Sequence, residues 1–265
     1  MKISSPTTPI QTPIKILLMG PPGSRKTTLC LQFPKVYVED CDRNLSGPET
    51  YIRKTNPSFS YAYNPIRYDA NGNMRDIEEC YDILCSDLTA IAKEPKTYEQ
   101  VSTVVVDSLS HVNEFVIRHV LKLQNKSKRV FEMEQRDWNP FKSFSYIFLV
   151  ARLEQTNKNV ICTCHEGKLY EKDPKDQSAK ILIGYEPLYQ GQVGDMIGGF
   201  FTDVWRLELV PAAAGKLSWK LYTQRHPKCE HLKNSLDMPA EIDLPDKDAF
   251  SKLLPYFQAK GHYVQ

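Results

Sequence analysis

The sequence predicts an α/β fold, a mainly parallel central sheet flanked by helices, on three observations. An apolar run, Ile14-Lys-Ile-Leu-Leu-Met19, leads straight into a Gly- and Pro-rich loop that opens a helix. A second apolar run, Val104-Val-Val, ends in Asp107. Around them, short buried-type strands alternate with amphipathic helices, the order that builds parallel sheets covered on both faces.

The elements follow in chain order. Ile14 to Met19, bounded by Pro13 and Gly20, has the length and flanks of a buried strand. Thr27 to Phe33 continues as a helix that Pro34 ends. Val36-Tyr-Val38 is the second strand and closes a β-α-β unit of the parallel type. From Asp42 to Met74 the chain is polar, with several prolines and aromatics, and no firm element emerges. Ile77, Tyr81, Leu84, Leu88 and Ile91 form one apolar helical stripe. Val101 to Val106 is the third strand, and His111 to Leu123 is helical.

Asn139-Pro140 reads as an N-cap with Pro at the first helical position. Phe141, Phe144, Phe148 and Ala151 then line one face of a helix running to about Gln155. Asn159 to Cys164 is the fourth strand. Lys168 to Lys180 is charged and aperiodic, a loop or a β-hairpin arm. Asp203 to Val210 and Leu217 to Tyr222 are late strands around a turn at Gly215, and Pro245-Asp-Lys-Asp opens a terminal helix. No repeat is evident, so residues 14–265 are expected to form one domain behind a flexible lead-in, residues 1–13.

With 34 Lys and Arg against 32 Asp and Glu, net charge neither demands nor excludes nucleic acid. No apolar run approaches the ~18 residues of a membrane span, and Met1 to Pro13 lacks the apolar core of a secretory signal. Seven scattered cysteines fit free structural thiols in a reducing compartment, hence a cytoplasmic protein. The irregular spacing of Cys162, Cys164 and His165, and of Cys229 and His231, is a weak match to zinc.

Gly20-Pro21-Pro22-Gly23-Ser24-Arg25-Lys26-Thr27-Thr28, between strand and helix, carries the chemistry of a phosphate-binding loop. Backbone N–H groups of such a loop converge on phosphate, and the helix N-terminus adds positive potential. Lys26, expected to face solvent without ligand, reaches the β- and γ-oxygens of ATP, and Thr27 offers its hydroxyl to Mg²⁺. Arg25 stands where the pattern G-x-x-x-x-G-K-[ST] has glycine. A long side chain there is expected to strain the loop and compete with phosphate for volume, so that Arg25→Gly would tighten ATP binding.

Asp107, closing an apolar strand about 80 residues after the loop, has the Walker B arrangement and would hold the metal with Thr27. Glu39, Asp40 and Asp42, at the end of the second strand, are the candidates for polarising water. His165, at the end of the fourth strand, is placed either to sense the γ-phosphate or as an ordinary surface histidine.

These residues in this order resemble the RecA-like P-loop ATPases, and more closely the compact phage-encoded subgroup that includes Sak-type single-strand annealing proteins. The matching segments are GPPGSRKTTLCLQFP, VYVEDCDRNL, VSTVVVDSLSHV, VICTCHE and GDMIGGFFTDVWRLEL. The resemblance implies ATP and Mg²⁺ as ligands, ATP held between subunits of a ring or filament, and catalytic roles for Lys26, Asp42 and His165. It also implies single-stranded DNA as partner, alongside a single-strand-binding or other recombination protein, in a bacterial host's cytoplasm if the gene is a phage's. Lys168 to Lys180, with Lys168, Lys172, Lys175 and Lys180, occupies the place of a DNA-contacting loop; Phe131 to Trp138, carrying Arg136, occupies another.

The leading expectation is therefore a DNA-stimulated ATPase of recombination, annealing or replication. The alternative is a nucleotide-binding nucleoprotein scaffold with weak or no hydrolysis, on account of Arg25. A small-molecule kinase on the same loop is the third, and no arginine-bearing lid argues for it.

Overall fold

The computed structural model describes residues 13–126, 133–173, 179–211 and 217–262. Most of the expected lead-in, residues 1–12, lies outside them. Six strands run parallel at the heart of the sheet: β1 (Lys15–Gly20), β2 (Val36–Asp40), β3 (Ala62–Pro65), β4 (Thr103–Asp107), β5 (Asn159–Lys172) and β7 (Asp203–Pro211). Two antiparallel strands, β8 (Leu217–Tyr222) and β9 (Glu241–Leu244), extend one edge, giving the order β3-β2-β4-β5-β1-β7-β8-β9. The mainly parallel α/β architecture is the one the sequence predicts. β1 and β2 are parallel but not neighbours, because β4 and β5 insert between them.

Side chains alternate across the central strands. Leu17 and Met19 of β1 face a core completed by α3 (Ile77–Lys93), α4 (Leu109–Leu123), α5 (Trp138–Tyr146) and α7 (Gly191–Met196). Ile16 and Leu18 face the other core, closed by α1 (Lys26–Cys30), α2 (Ser46–Arg53) and α8 (Ala249–Ala259).

Three details depart from expectation. α5 starts at Trp138, after a 3₁₀ turn at Gln135–Asp137, so Pro140 lies within its first turn. It continues through a π-helical stretch, Ile147–Arg152, into α6 (Leu153–Gln155). The polar region after Asp42 holds α2 and β3, and β5 runs eight residues beyond Cys164 to pair with β6 (Lys180–Pro187). The described part of Lys168 to Lys180, in which Lys172 pairs with Lys180 across two antiparallel strands, thus takes the second of its two expected forms, the β-hairpin arm.

The root of that arm is held by Arg206 of β7. Its guanidinium donates to both carboxylate oxygens of Glu166, at 2.7 and 3.1 Å, and to Glu208 at 2.5 Å. Arg206 and Glu166 are each 4 % exposed, so this forked pair is well shielded from water. Its charge-assisted bonds push the Arg206 pKa upward despite burial. All seven cysteines are buried free thiols. Among the described residues no helix is long and apolar enough to cross a membrane.

Candidate nucleotide site

The site forms at the carboxyl ends of the parallel strands, where open α/β sheets bind ligands. β1 ends at Gly20, whose α-carbon is crowded by β7: an added Cβ would lie 2.2 Å from the Leu207 carbonyl oxygen. Only glycine fits that approach. The chain turns at Pro21, where the carbonyl accepts the Ser24 N–H at 3.2 Å. Gly23 and Arg25 are both left-handed, with φ of 76° and 66°. Left-handed residues interleaved in a tight loop turn N–H groups toward one side, a concavity suited to anions.

Lys26 does not face solvent, contrary to expectation. It is 7 % exposed, and its ammonium donates to the carbonyls of Gly20 and Pro21 at 2.9 and 3.0 Å. The loop folds over its own lysine because those carbonyls, at the end of β1, need a donor. Burial lowers the Lys26 pKa, and the Asp107 charge opposes the shift.

Thr27 and Asp107 meet: the threonine hydroxyl donates to Asp107 Oδ2 at 2.7 Å. Thr163 of β5 donates its hydroxyl to the other oxygen, Oδ1. β5 lies between β4 and β1, in register Val106 with Cys162, so Thr163 falls beside Asp107. Thr163 was not among the residues read from the sequence, and its signal was position alone, two residues before His165 on the strand next to Asp107. A hydroxyl and a carboxylate are hard oxygen donors that suit Mg²⁺.

The three acids after β2 separate clearly. Glu39 is fully buried, near Asn64 and Asp87. Asp40 accepts the Arg43 N–H at 2.8 Å and is 5 % exposed. Asp42 lines a cavity of about 300 Å³ together with Lys26, Thr27, Asp107, Thr163 and His165, a volume at the lower end for small-molecule sites. Burial, then the charges of Asp107 and Asp40, raise its pKa to about 7. His165 is held by its backbone N–H, which donates to Ser110 Oγ at 3.1 Å. Burial, then the charges of Lys26 and His111, lower its pKa, which favours the neutral imidazole.

Arg25 swings outward rather than into the phosphate volume. Its guanidinium lies 4.5 Å from the Tyr51 ring and 4.9 Å from that of Trp219, and forms a wall of the cavity with Tyr51. The competition for volume expected from the sequence is therefore not what this geometry presents. Tyr51 and Asn44, also on the wall, come from the region where no element was expected.

The DNA-facing candidates stand apart from the cavity. Lys168, Lys172 and Lys180 are exposed on the β5–β6 arm, while Lys175 lies outside the described residues. Arg136 is exposed and paired with Glu134 at 3.0 Å. Trp138 packs on Phe141 and Gly191, the core-packing role.

A family model described as an AAA domain matches residues 12–234. The chain belongs to this AAA domain family. It is accordingly a P-loop nucleotide-binding ATPase domain of the AAA type. No curated protein sequence matches the chain. Among solved structures, the AAA domain is similar to the flagellar accessory protein FlaH of Methanocaldococcus jannaschii. Identity there is 14 %, with 89 % of this chain and 87 % of that one covered and a TM-score of 0.37. It is also similar to a KaiC-like protein of Pyrococcus horikoshii, at 13 % identity, coverage of 90 % and 93 %, and a TM-score of 0.40.

Proposed function

We propose that this AAA domain protein hydrolyses ATP in work on single-stranded DNA, in recombination, annealing or replication of the phage type, and that it does so as a homo-oligomer. One observation carries the reading: β5 runs unbroken from the cavity, at Thr163 and His165, into the exposed arm that bears Lys168 and Lys172. A change felt at His165 has a direct mechanical route to that arm, through Glu166 and Gly167 and the Arg206 anchor.

The arm has the composition of a single-strand platform. Lys168, Tyr170 and Lys172 alternate with Leu169 and Glu171 and so share one face of β5. Tyr170 is 50 % exposed. An aromatic ring flanked by two lysines offers stacking and phosphate neutralisation together, the two elements of sequence-tolerant binding. Tyr170 adds to the lysines that the sequence pointed to, and alternation along the strand was its signal.

Hydrolysis follows from the residues on the cavity wall. Water attacks the γ-phosphorus, the bond to the β–γ bridging oxygen breaks, and ADP and phosphate leave. Asp42 accepts the proton of the attacking water, and Lys26 neutralises charge on the β- and γ-oxygens. Thr27 and Asp107 would hold Mg²⁺, which would supply further charge neutralisation. His165, on the same cavity wall, donates or accepts a hydrogen bond at the γ-phosphate. Arg25, directed out of the loop, removes the steric ground for a scaffold that does not hydrolyse.

The test is ATP turnover with and without single-stranded DNA, at two salt concentrations. Stimulation by single strands, weaker at high salt, is the expected result. Turnover indifferent to any DNA would leave an ATPase without this partner, and nucleotide binding without turnover would leave the scaffold.

A further inference from the structure

The side chain that breaks the phosphate-loop pattern is the most heavily engaged one at the mouth of the site. Arg25 has φ 66° and ψ 29°, a backbone state that glycine enters freely and that a residue with a Cβ resists. Something must hold it there. Its Nη1 donates to the Tyr51 hydroxyl at 2.9 Å and approaches Asp246 Oδ1 at 3.4 Å. The Tyr51 hydroxyl in turn donates to the Asp246 carbonyl at 3.0 Å. The guanidinium also stacks near the rings of Tyr51 and of fully buried Trp219, the arrangement by which aromatic faces attract a cation.

The clamp does not end at Asp246. Three residues on, the chain enters α8, whose first N–H groups, of Ala249 and Phe250, donate to Gln32 Oε1 at 2.5 and 3.4 Å. Phe250 and Phe257 of α8 pack on Phe33, just past α1. The C-terminal segment thus grips the loop helix at both ends: Gln32 and Phe33 hold the far end, and Arg25 holds the phosphate end.

We propose that Arg25 is a positioning residue of the phosphate loop. Its side chain, clamped by Tyr51, Trp219 and Asp246, holds the left-handed turn that glycine would adopt unaided, and makes that turn depend on the C-terminal segment. The proposal rests on the loop being the nucleotide site. It predicts a pattern that neither simple strain nor simple packing would give. Arg25→Ala keeps the Cβ and loses the clamp, so the loop relaxes out of its binding shape. Arg25→Gly loses the clamp and the Cβ together, so the shape survives. Arg25→Lys keeps the charge but not the planar fork, and falls between them.

The experiment is titration of each full-length variant with a non-hydrolysable ATP analogue and Mg²⁺, paired with thermal unfolding without nucleotide. Arg25→Gly is expected to bind within about threefold of the natural chain, and Arg25→Ala about tenfold more weakly. Tyr51→Phe and Asp246→Asn should each weaken binding a few-fold in the natural chain and leave it unchanged in the Arg25→Gly background. Unfolding temperatures should follow the same order, Arg25→Ala lowest. Equal affinity of the alanine and glycine variants, or equal effects of Tyr51→Phe in both backgrounds, overturns the proposal. If the natural chain binds no nucleotide, the reading of the site fails instead, and the unfolding temperatures decide the clamp: it stands only if Arg25→Ala lies below Arg25→Gly and Tyr51→Phe is silent beside Arg25→Gly.

Discussion

Thr27 and Asp107, 80 residues apart, are joined by a 2.7 Å hydrogen bond from the threonine hydroxyl to the carboxylate. The bond brings together the two oxygen donors that P-loop chemistry assigns to the metal, one from the start of a helix and one from the end of a strand two places away in the sheet. Asp107 accepts from Thr163 as well, so its orientation is set from two sides. Asp107→Asn keeps the shape and removes the charge. Turnover should fall on the order of 10²-fold, with nucleotide affinity changed far less. Equal losses in a binding titration and a turnover assay would give Asp107 a role in holding the nucleotide itself.

Lys26 is buried and bonded to two carbonyls of its own loop, so its removal reaches beyond ligand binding. Lys26→Ala should abolish nucleotide binding and also cost about 1–3 kcal/mol, because both carbonyls lose a charged donor. For a chain of this size that is a fall of several degrees in Tm, roughly 2–4 °C per kcal/mol. An unchanged Tm with full ATPase activity would place the site elsewhere.

Asp42 can accept a proton only once it has lost its own. Burial and two neighbouring carboxylates raise its pKa to about 7, so below that pH the residue is protonated and idle. Turnover at saturating ATP should therefore rise as pH increases through about 7, and Asp42→Asn should lower it and flatten the profile. A natural-chain profile flat from pH 6 to 8 would take the water-activating role away from Asp42.

Glu39 offers a stability test independent of any ligand. Burial first, and then the charge of Asp87, push its pKa well above the ordinary range, and its Oε1 has no hydrogen-bond partner among the described residues. A carboxyl whose pKa is raised by folding favours the native state below its unfolded pKa, and this contribution is lost as pH rises toward the folded pKa. Glu39→Gln, neutral throughout, should therefore melt higher than the natural chain at pH 8 and show a smaller advantage near pH 5. Thermal melts at the two pH values decide it, and a difference that grows toward acid would contradict the sign.

The loop, the Asp107 strand and the order of the main elements were legible because each is local. An apolar run between Pro13 and Gly20, or one ending in Asp107, announces itself within ten residues. α2 and β3 were not legible. Ser46 to Arg53 buries only Ile52 fully, and β3 is a short edge strand with no buried residue, so neither carries an apolar period. Thr163 was missed for a different reason. A threonine in a buried strand reads as ordinary β-sequence until the register sets it beside Asp107. The inward turn of Lys26 and the outward turn of Arg25 depend on carbonyls and rings brought from elsewhere, and no local pattern carries such information.

The arm carries the last prediction. If Lys168, Lys172 and Lys180 each neutralise one phosphate of a bound single strand, the slope of log K against log salt should fall by about 0.7 for each lysine replaced, or about 2 for the triple alanine variant. Tyr170→Ala acts otherwise, because stacking releases no counterions. It should cost roughly 1–3 kcal/mol of affinity at every salt concentration and leave the slope as it was. The two effects separate on one plot: parallel lines for the tyrosine variant, a shallower line for the lysine variant. Lys172 and Lys180 sit opposite each other across the arm, so their like charges repel without ligand and gain together when a phosphate lies between them. Slopes that coincide for all three proteins would remove the arm from the DNA-contacting surface and turn attention to Arg136, which would first have to leave Glu134.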